Sequence, residues 1–317
     1  MVARPEHRPT APRGLDPQAL LAIRDLELRA RVVVEGLWSG LHRSPFAGFS
    51  VEFTEYRQYV AGDDLRYLDW RVLARTDREY VRKFEDETNL RCHLLVDHSR
   101  SMTFGSRGVT KADYARSLAA SLGYFLLQQR DMVGLGLFGS TLLEHLPARW
   151  RSGHLRRLLA ALEREHPAGE TRLDLALDAA LRLWRRRGLI VIVSDFLAPV
   201  EPWKRPLATL VAAGHDVRAI QVLDPAERTL EHGRAGEWHD LETGRRLFVD
   251  PAQARDGYRA RFEAHSAALR TALDAIGVPL QVAMTDHPID LLLLEWLRRG
   301  RLRRSLRHHA PTTVRRP

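Results

Sequence analysis

Apolar residues along this chain recur with two different periods, and the alternation between them specifies a fold class. Leu94-Leu95-Val96 is a short apolar run that ends in a polar loop, after which Lys111 to Gln129 repeats apolar positions at helical spacing through Ala115, Leu118, Ala119, Leu122, Phe125 and Leu126. Met132 to Phe138 and Thr141 to Leu146 read as strands joined by a turn at Gly139-Ser140. Leu155 to Leu162 and Leu173 to Trp184 are helical patterns. Leu189-Ile190-Val191-Ile192-Val193 is a continuous run of the kind that marks a strand buried on both faces of a parallel sheet. Leu207 to Ala213 then predicts a helix, Val217 to Val222 a strand and Tyr258 to Ile276 a long helix. Val278 to Met284 closes the sheet, and Ile289 to Leu297 packs a last helix on it. Such alternation predicts an α/β fold with an open, mostly parallel sheet and helices on both faces.

Two segments depart from the alternation. Glu237 to Val249 carries Trp238, Leu241, Leu247 and Phe248 around Thr243-Gly244, which predicts a β-hairpin inserted before the long helix. Upstream, Ala19 to Leu37 is helix-like, but Ser44 to Asp64 is studded with Gly, Pro and aromatic residues. The chain is therefore divided into a loose N-terminus (1–18), an N-terminal extension (19–90), the α/β domain (91–300) and a basic C-terminal tail (301–317). The extension is too short in apolar periodicity to build its own core, so Tyr56, Tyr59, Tyr67 and Trp70 are expected to pack on the α/β domain. The cluster Asp63-Asp64-Arg66-Asp69 reads as a turn and ion-pair network joining the two, with a second acidic site as the alternative. Trp70 and Trp184 read as core.

Composition changes this picture only at the margins. The chain has 317 residues with 44% hydrophobic content, enough for one large domain with an attached segment, or for two modest domains. Its one cysteine excludes an internal disulfide framework and any multi-cysteine metal site, and Cys92 alternates inward on a strand as a small buried hydrophobe. No apolar run approaches the roughly 20 residues that span a bilayer, and Met1 to Asp16 lacks the apolar core of a signal peptide. The expectation is a cytoplasmic protein without a transmembrane segment. The net charge of +9 invites a nucleic-acid reading, but much of the excess is arginine near the C-terminus, from Arg298 to Arg316. Aromatic residues do not interleave with it, so the stacking platforms used on single strands are missing there and no specific nucleic acid is expected.

Ligands of an open parallel sheet bind in the crevice at the carboxyl ends of its strands. Three polar clusters fall at such positions: Asp97-His98-Ser99-Arg100-Ser101, Gly169-Glu170-Thr171 and Ser194-Asp195. Two carboxylates and three hydroxyls make a hard, all-oxygen set of the kind Mg²⁺ prefers, with room for an exchangeable ligand from a partner. Asp97, Ser99 and Ser101 also suit the plainer task of capping the following helix. His98 in the same loop is the candidate general base, though a polar surface histidine explains it equally simply.

The order Asp97-x-Ser99-x-Ser101, then Thr171, then Asp195, resembles the metal-ion-dependent adhesion site of von Willebrand factor A domains. The resemblance extends further, to the bacterial family catalogued as domain of unknown function 58. It is carried by Arg57-x-Tyr59, Gly62-Asp63-Asp64, Arg66, Asp69-Trp70, Ala74-Arg75, and Ser101-Met102-x-Phe104-Gly105-Ser106. Leu223-Asp224-Pro225-x-Glu227 and Asp240-x-Glu242-Thr243-Gly244 fit the same family. It covers roughly Glu35 to Arg299. The resemblance implies that Ser99, Ser101 and Thr171 contact Mg²⁺ or Mn²⁺, with Asp97 and Asp195 acting directly or through water. It also implies a partner offering an acidic side chain, a MoxR-type AAA+ ATPase or its client, in the assembly or remodelling of other proteins. The expected function is a metal-dependent interaction scaffold and not an enzyme. The alternative is a Mg²⁺-dependent phosphoryl-transfer or hydrolytic enzyme at the same sheet edge. Against it, the chain has no Gly-x₄-Gly-Lys-Ser/Thr loop, and Ser99 stands where an aspartyl-phosphate enzyme would carry its second Asp.

Overall fold

Residues 14–42, 56–58, 75, 80–82, 90–165, 169–230, 235–239 and 246–308 are described by the structure, a computed structural model. The elements in chain order are α1 (Pro17–Leu21), α2 (Leu26–His42), β1 (Tyr56–Gln58), β2 (Tyr80–Arg82), β3 (Arg91–Asp97), α3 (Lys111–Gln128), β4 (Met132–Phe138), β5 (Leu142–Arg149), α4 (His154–Glu163) and α5 (Leu173–Leu183). They continue with β6 (Leu189–Ser194), α6 (Glu201–Ala212), β7 (Asp216–Leu223), α7 (Pro225–Thr229), β8 (Gly236–His239), β9 (Arg246–Val249), α8 (Pro251–Ile276), β10 (Leu280–Met284) and α9 (Ile289–His308). The chain divides into two compact units, one formed by residues up to His42 and from Leu90 onward, the other by Arg43–Asn89. In the smaller unit β1 and β2 pair antiparallel, Tyr56 opposite Arg82. Tyr59, Tyr67, Trp70 and the Asp63-Asp64-Arg66-Asp69 cluster lie outside the described residues.

The larger unit is built on a six-stranded sheet in the order β10-β7-β6-β3-β4-β5. Every neighbouring pair is parallel except β4 and β5, which form the expected hairpin. The chain lays down β3, then β4 and β5 on one side, and returns to place β6 on the other side of β3 before moving outward through β7 and β10. The strand order therefore reverses between β3 and β6. All six residues of β6 are buried, which explains its unbroken apolar run. One face of the sheet, through Leu95, Ile190, Ile192, Val217 and Ala219, packs against α5, α6 and the C-terminal half of α8. By strand alternation Leu94, Val96, Val191 and Val193 face the other way, toward the side of α3, with α2 packed on α3 and α9 on α2. Each fully buried Leu, Ile or Val contributes roughly 1.5–3 kcal/mol of transfer free energy to this arrangement.

Several boundaries differ from the sequence expectation, each for a local reason. The single helix expected over Ala19 to Leu37 breaks between α1 and α2. Arg29 is buried there, and its guanidinium donates to Ile23 O at 2.6 and 3.1 Å and to Ser117 Oγ at 2.9 Å, satisfying a carbonyl at the break. Asp25 Oδ1 accepts the Leu28 N–H and starts the second helix. Helix α6 begins at Glu201, earlier than Leu207, because Pro202 suits a first turn while Pro206 masks the pattern within it. Helix α8 begins at Pro251, capped by Asp250 on the Ala252 N–H, and its first two turns are largely exposed and carry little apolar periodicity. Helix α9 runs on through His308 into the arginine-rich segment. The inserted hairpin is present as β8 and β9, with Trp238 opposite Leu247.

His93 on β3 sits inside this core with its ring stacked on Trp184 at 4.4 Å. Gly134 on β4 makes room for it, since a Cβ there would fall 2.8 Å from His93 Nδ1 and 2.8 Å from the Ala148 nitrogen. Neither ring nitrogen of His93 finds a hydrogen-bond partner. Burial, with a smaller contribution from the Arg91 charge, pushes its pKa down to about 3. The folded protein therefore keeps His93 neutral while the unfolded chain, with an ordinary value near 6.5, takes up a proton first. Stability rises with pH across that window and is lost as pH falls from about 6.5 toward 3. Between pH 7 and pH 5 the wild type should lose about 2 kcal/mol more than His93→Phe in urea unfolding. Equal losses would show that the histidine is protonated in the fold.

Candidate functional site

The strand-order reversal between β3 and β6 creates a crevice at their carboxyl ends, and the two strands deliver one carboxylate each to it. Val96 and Val193 are register partners, so Asp97 and the Ser194-Asp195 pair emerge side by side. Asp97 is buried, and its oxygens accept from the Ser99 N–H at 2.8 Å and from Ser194 Oγ at 2.6 Å. Ser194 Oγ in turn accepts from the Phe196 N–H at 3.1 Å. Phe196 holds a left-handed backbone, φ 52°, which is strained for a residue with a Cβ. Its carbonyl meets the His265 ring at 2.8 Å and its side chain packs edge-on against Trp203. A locally strained turn thus fixes the backbone just after Asp195.

After Asp97 the chain enters a short 3₁₀ turn, Arg100–Thr103, which brings Ser99 Oγ and Ser101 Oγ to 3.0 Å from each other. The loop carrying Thr171 is tied to the same place. Arg100 N–H donates to Gly169 O at 3.2 Å, and Arg172 N–H donates to Gly139 O at 2.8 Å. Ser101, Thr171 and Asp195 all line one cavity of about 1000 Å³, whose apolar wall includes Phe104, Leu197, Trp203, Trp238 and Tyr258. The five residues singled out in the sequence therefore meet at one sheet edge. His98 is half-buried, and its backbone N–H closes the β3–β4 ladder by donating to Phe138 O. Cys92 is fully buried, as its strand position requires, and Trp184 lies in the core.

Sequence reasoning missed the cation at the centre of this edge. Lys111, the first residue of α3, is fully buried; its ammonium donates to Asp195 Oδ2 at 2.8 Å and to Glu227 Oε1 at 2.5 Å. Burial acts to lower its pKa, but the Asp195 and Glu227 charges outweigh that and hold it above the ordinary lysine value. Glu227 Oε2 accepts the Asp224 N–H, and Asp224 accepts from Ser106 N–H and Oγ, Ala226 N–H and Thr285 Oγ1. A third strand, β7, thereby joins the site through the capping box of α7. One signal was available: a lysine at a helix start opposes the helix dipole and calls for an anionic partner.

The electrostatics leave the edge short of positive charge. Asp97, Asp195 and Glu227 are three carboxyl groups against the one ammonium of Lys111, so the edge keeps a negative excess of between one and two charges, set by how far Asp97 is ionised. Burial, followed by the Asp195 charge, pushes Asp97 up to about 7. Among the described residues no group of three or more His, Cys, Asp or Glu side chains is arranged to hold a metal, so hydroxyls have to complete any ligand set here. Three hydroxyls beside two carboxyl groups, with a net negative excess, fit a small hard dication.

Comparison with known proteins gives the chain its relatives. The family model described as "Protein of unknown function DUF58" matches residues 55–272. The uncharacterized protein Rv1480 of Mycobacterium tuberculosis H37Rv is 35% identical over 288 residues, which is 89% of this chain and 90% of the relative. This chain belongs to the DUF58 family. The uncharacterized protein MAV169 of Mycobacterium avium is 39% identical over 134 residues, covering 42% of this chain and 78% of its own. Among solved structures, the conserved hypothetical protein BatB of Bacteroides thetaiotaomicron aligns with a TM-score of 0.44 at 13% identity, over 67% of this chain and 99% of that one. An aerotolerance-related membrane protein of Bacteroides fragilis gives 0.42 at 14%, over 66% and 99%. Similarity at that level carries no functional argument, so function in this DUF58 member has to be argued from its own residues.

Removal of the central cation tests the electrostatic account. Lys111→Met should destabilise the protein by about 3–5 kcal/mol in urea unfolding, because it leaves two buried carboxylates without their partner. Adding Glu227→Gln to that variant should recover part of the loss. A cost below about 1 kcal/mol would mean that the ammonium is not the keystone of this edge.

Proposed function

We propose that the protein is a metal-dependent protein-interaction scaffold and not an enzyme. The observation that carries this reading is the convergence of three hydroxyls and two buried carboxyl groups at the strand-order reversal, with a net negative excess. In this reading Ser99, Ser101 and Thr171 hold Mg²⁺ or Mn²⁺ directly, while Asp97 and Asp195 hold it through water. The hydrogen bonds of the carboxylates support that division. Both Asp97 oxygens already accept bonds, and Asp195 Oδ2 is taken by Lys111. When bound, the ion offers a Lewis-acidic position for a carboxylate supplied by a partner.

The remaining residues act as a docking frame. Among the described residues Ser99 Oγ is hydrogen-bonded to Ser101 Oγ and to no base, which favours a ligand role over a nucleophile's for both hydroxyls. The apolar wall of Phe104, Leu197, Trp203 and Trp238 gives an approaching loop surface to bury beside the ion. Following the family resemblance, the partner is a MoxR-type AAA+ ATPase or its client, and the protein serves as an adaptor in assembling or remodelling other proteins. The same reading places it in the cytoplasm. Among the described residues, no helix is long and apolar enough to cross a membrane.

Metal linkage is the direct test. Mg²⁺ at a hundredfold excess over its dissociation constant should stabilise the wild type by about 2.7 kcal/mol, with EDTA reversing the shift. Ser99→Ala, which removes one hydroxyl and keeps the backbone N–H bound to Asp97, should lose most of that shift while retaining the wild-type circular dichroism. It should also lose Mg²⁺-dependent capture of the partner. A melting curve indifferent to metal would sink the proposal. Metal-dependent turnover of phosphate esters that disappears in Ser99→Ala would replace it with an enzyme.

A further inference from the structure

A second cavity, of about 670 Å³, lies between α7, α8 and the carboxyl ends of β7 and β10, and it shares no lining residue with the cavity over the candidate centre. Its construction follows from two periods. Arg259, Phe262, Ser266 and Arg270 recur along α8 at helical spacing and share one face. Val282 and Met284 alternate on β10, as Gln221 and Leu223 do on β7, so each pair shares a sheet face. Arg228 enters from the last turn of α7. A helix face turned toward a sheet ordinarily carries apolar residues. The C-terminal half of α8 obeys that rule with Leu269 and Leu273 in the core, whereas this stretch presents arginines to apolar strands.

The charges there are not spent on partners. Among the described residues Arg228 and Arg270 make no ion pair, and Arg259 reaches Glu263 only at 3.8 Å with both side chains exposed. Arg107, Arg164 and Arg172, by contrast, each hold a carboxylate. Among the described residues Glu263 is the only carboxylate lining the cavity, so three guanidiniums there leave an excess of two positive charges. A guanidinium matches phosphate oxygens in two-pronged fashion, and an apolar floor of Leu223, Phe262, Val282 and Met284 suits a ring or hydrocarbon group. The volume falls in the range of small-molecule sites.

We propose that this cavity binds a small organic phosphate, its phosphate held by Arg228 and Arg259, whose segments the Tyr258–Glu227 hydrogen bond ties together, and its apolar part laid on the floor beside Phe262. The site is independent of the metal centre proposed above. Titration calorimetry of the full chain in EDTA, with ADP, pyrophosphate and inorganic phosphate as probes, tests it without involving that centre. ADP should bind more tightly than pyrophosphate, and pyrophosphate more tightly than phosphate. Arg228→Gln and Arg259→Gln should each weaken ADP by roughly tenfold or more. Phe262→Ala should weaken ADP and leave pyrophosphate unchanged. Arg255→Gln and Arg261→Gln, exposed on the same helix outside the cavity, should change neither. The proposal fails if none of the probes binds at millimolar concentration. It fails equally if Arg255→Gln weakens binding as much as Arg259→Gln, which would reduce the effect to general attraction toward a chain of net charge +9.

Discussion

The ammonium of Lys111 sits fully buried between Asp195 and Glu227, and the carboxyl edge of the sheet is organised around it. Asp195 belongs to the loop after β6, Glu227 to the turn after β7, and Lys111 to the helix that follows β3, so a single cation joins three chain segments. A buried ion pair of this kind contributes little net stability relative to an apolar replacement. Its physical effect is positional: a lone buried carboxylate at either site would be expensive, so the three segments are held in the one arrangement that satisfies all of them.

From that constraint follows the division of labour at the edge. Lys111 occupies one oxygen of Asp195 and Leu197 N–H the other at 3.2 Å, while Ser99 and Ser194 occupy those of Asp97. The carboxylates are thereby rigid and already hydrogen-bonded, whereas the hydroxyls of Ser99 and Ser101 have only each other. The two hydroxyls therefore keep lone pairs that the carboxyl oxygens beside them have already committed. The strained Phe196 backbone and the Ser194 relay belong to the same design, since they fix where Asp195 points.

The sheet, and the gathering of the five candidate residues at its carboxyl edge, were legible because both rest on local signals. Continuous apolar runs such as Leu189 to Val193 identify buried parallel strands, and ligands of such sheets collect at strand ends, where Asp97 and Asp195 were found. Lys111 and Glu227 were not legible, since they lie 116 positions apart and their meeting depends on which strands become neighbours. Periodicity does not encode strand order. The break before α2 was hidden for a similar reason: Arg29 looks like one more helical arginine until Ile23 O and Ser117 are found within its reach. The early starts of α6 and α8 were missed because their first turns are largely polar or proline-bearing, and there capping by Asp250 and not apolar spacing marks the boundary.

The five-residue helix α7 connects these observations. Its capping box locks Asp224 and Glu227 reciprocally, and four further donors from Ser106, Ala226 and Thr285 pin Asp224, whose carboxyl they hold below the ordinary range despite its burial. A turn so fixed cannot tilt independently of the residues it carries. Ala226, Glu227 and Leu230 face the cavity over the hydroxyl and carboxylate set, while Pro225, Arg228 and Thr229 face the arginine-lined cavity. The two cavities therefore share one rigid wall. Tyr258 of α8 donates to Glu227 O at 2.6 Å, and the neighbouring Arg259 lines the opposite side, so the long helix is tied to the same partition. Glu227, carried by α7, bonds Lys111, and Lys111 bonds Asp195, so a continuous chain of hydrogen bonds runs from the wall between the cavities to the loop after β6.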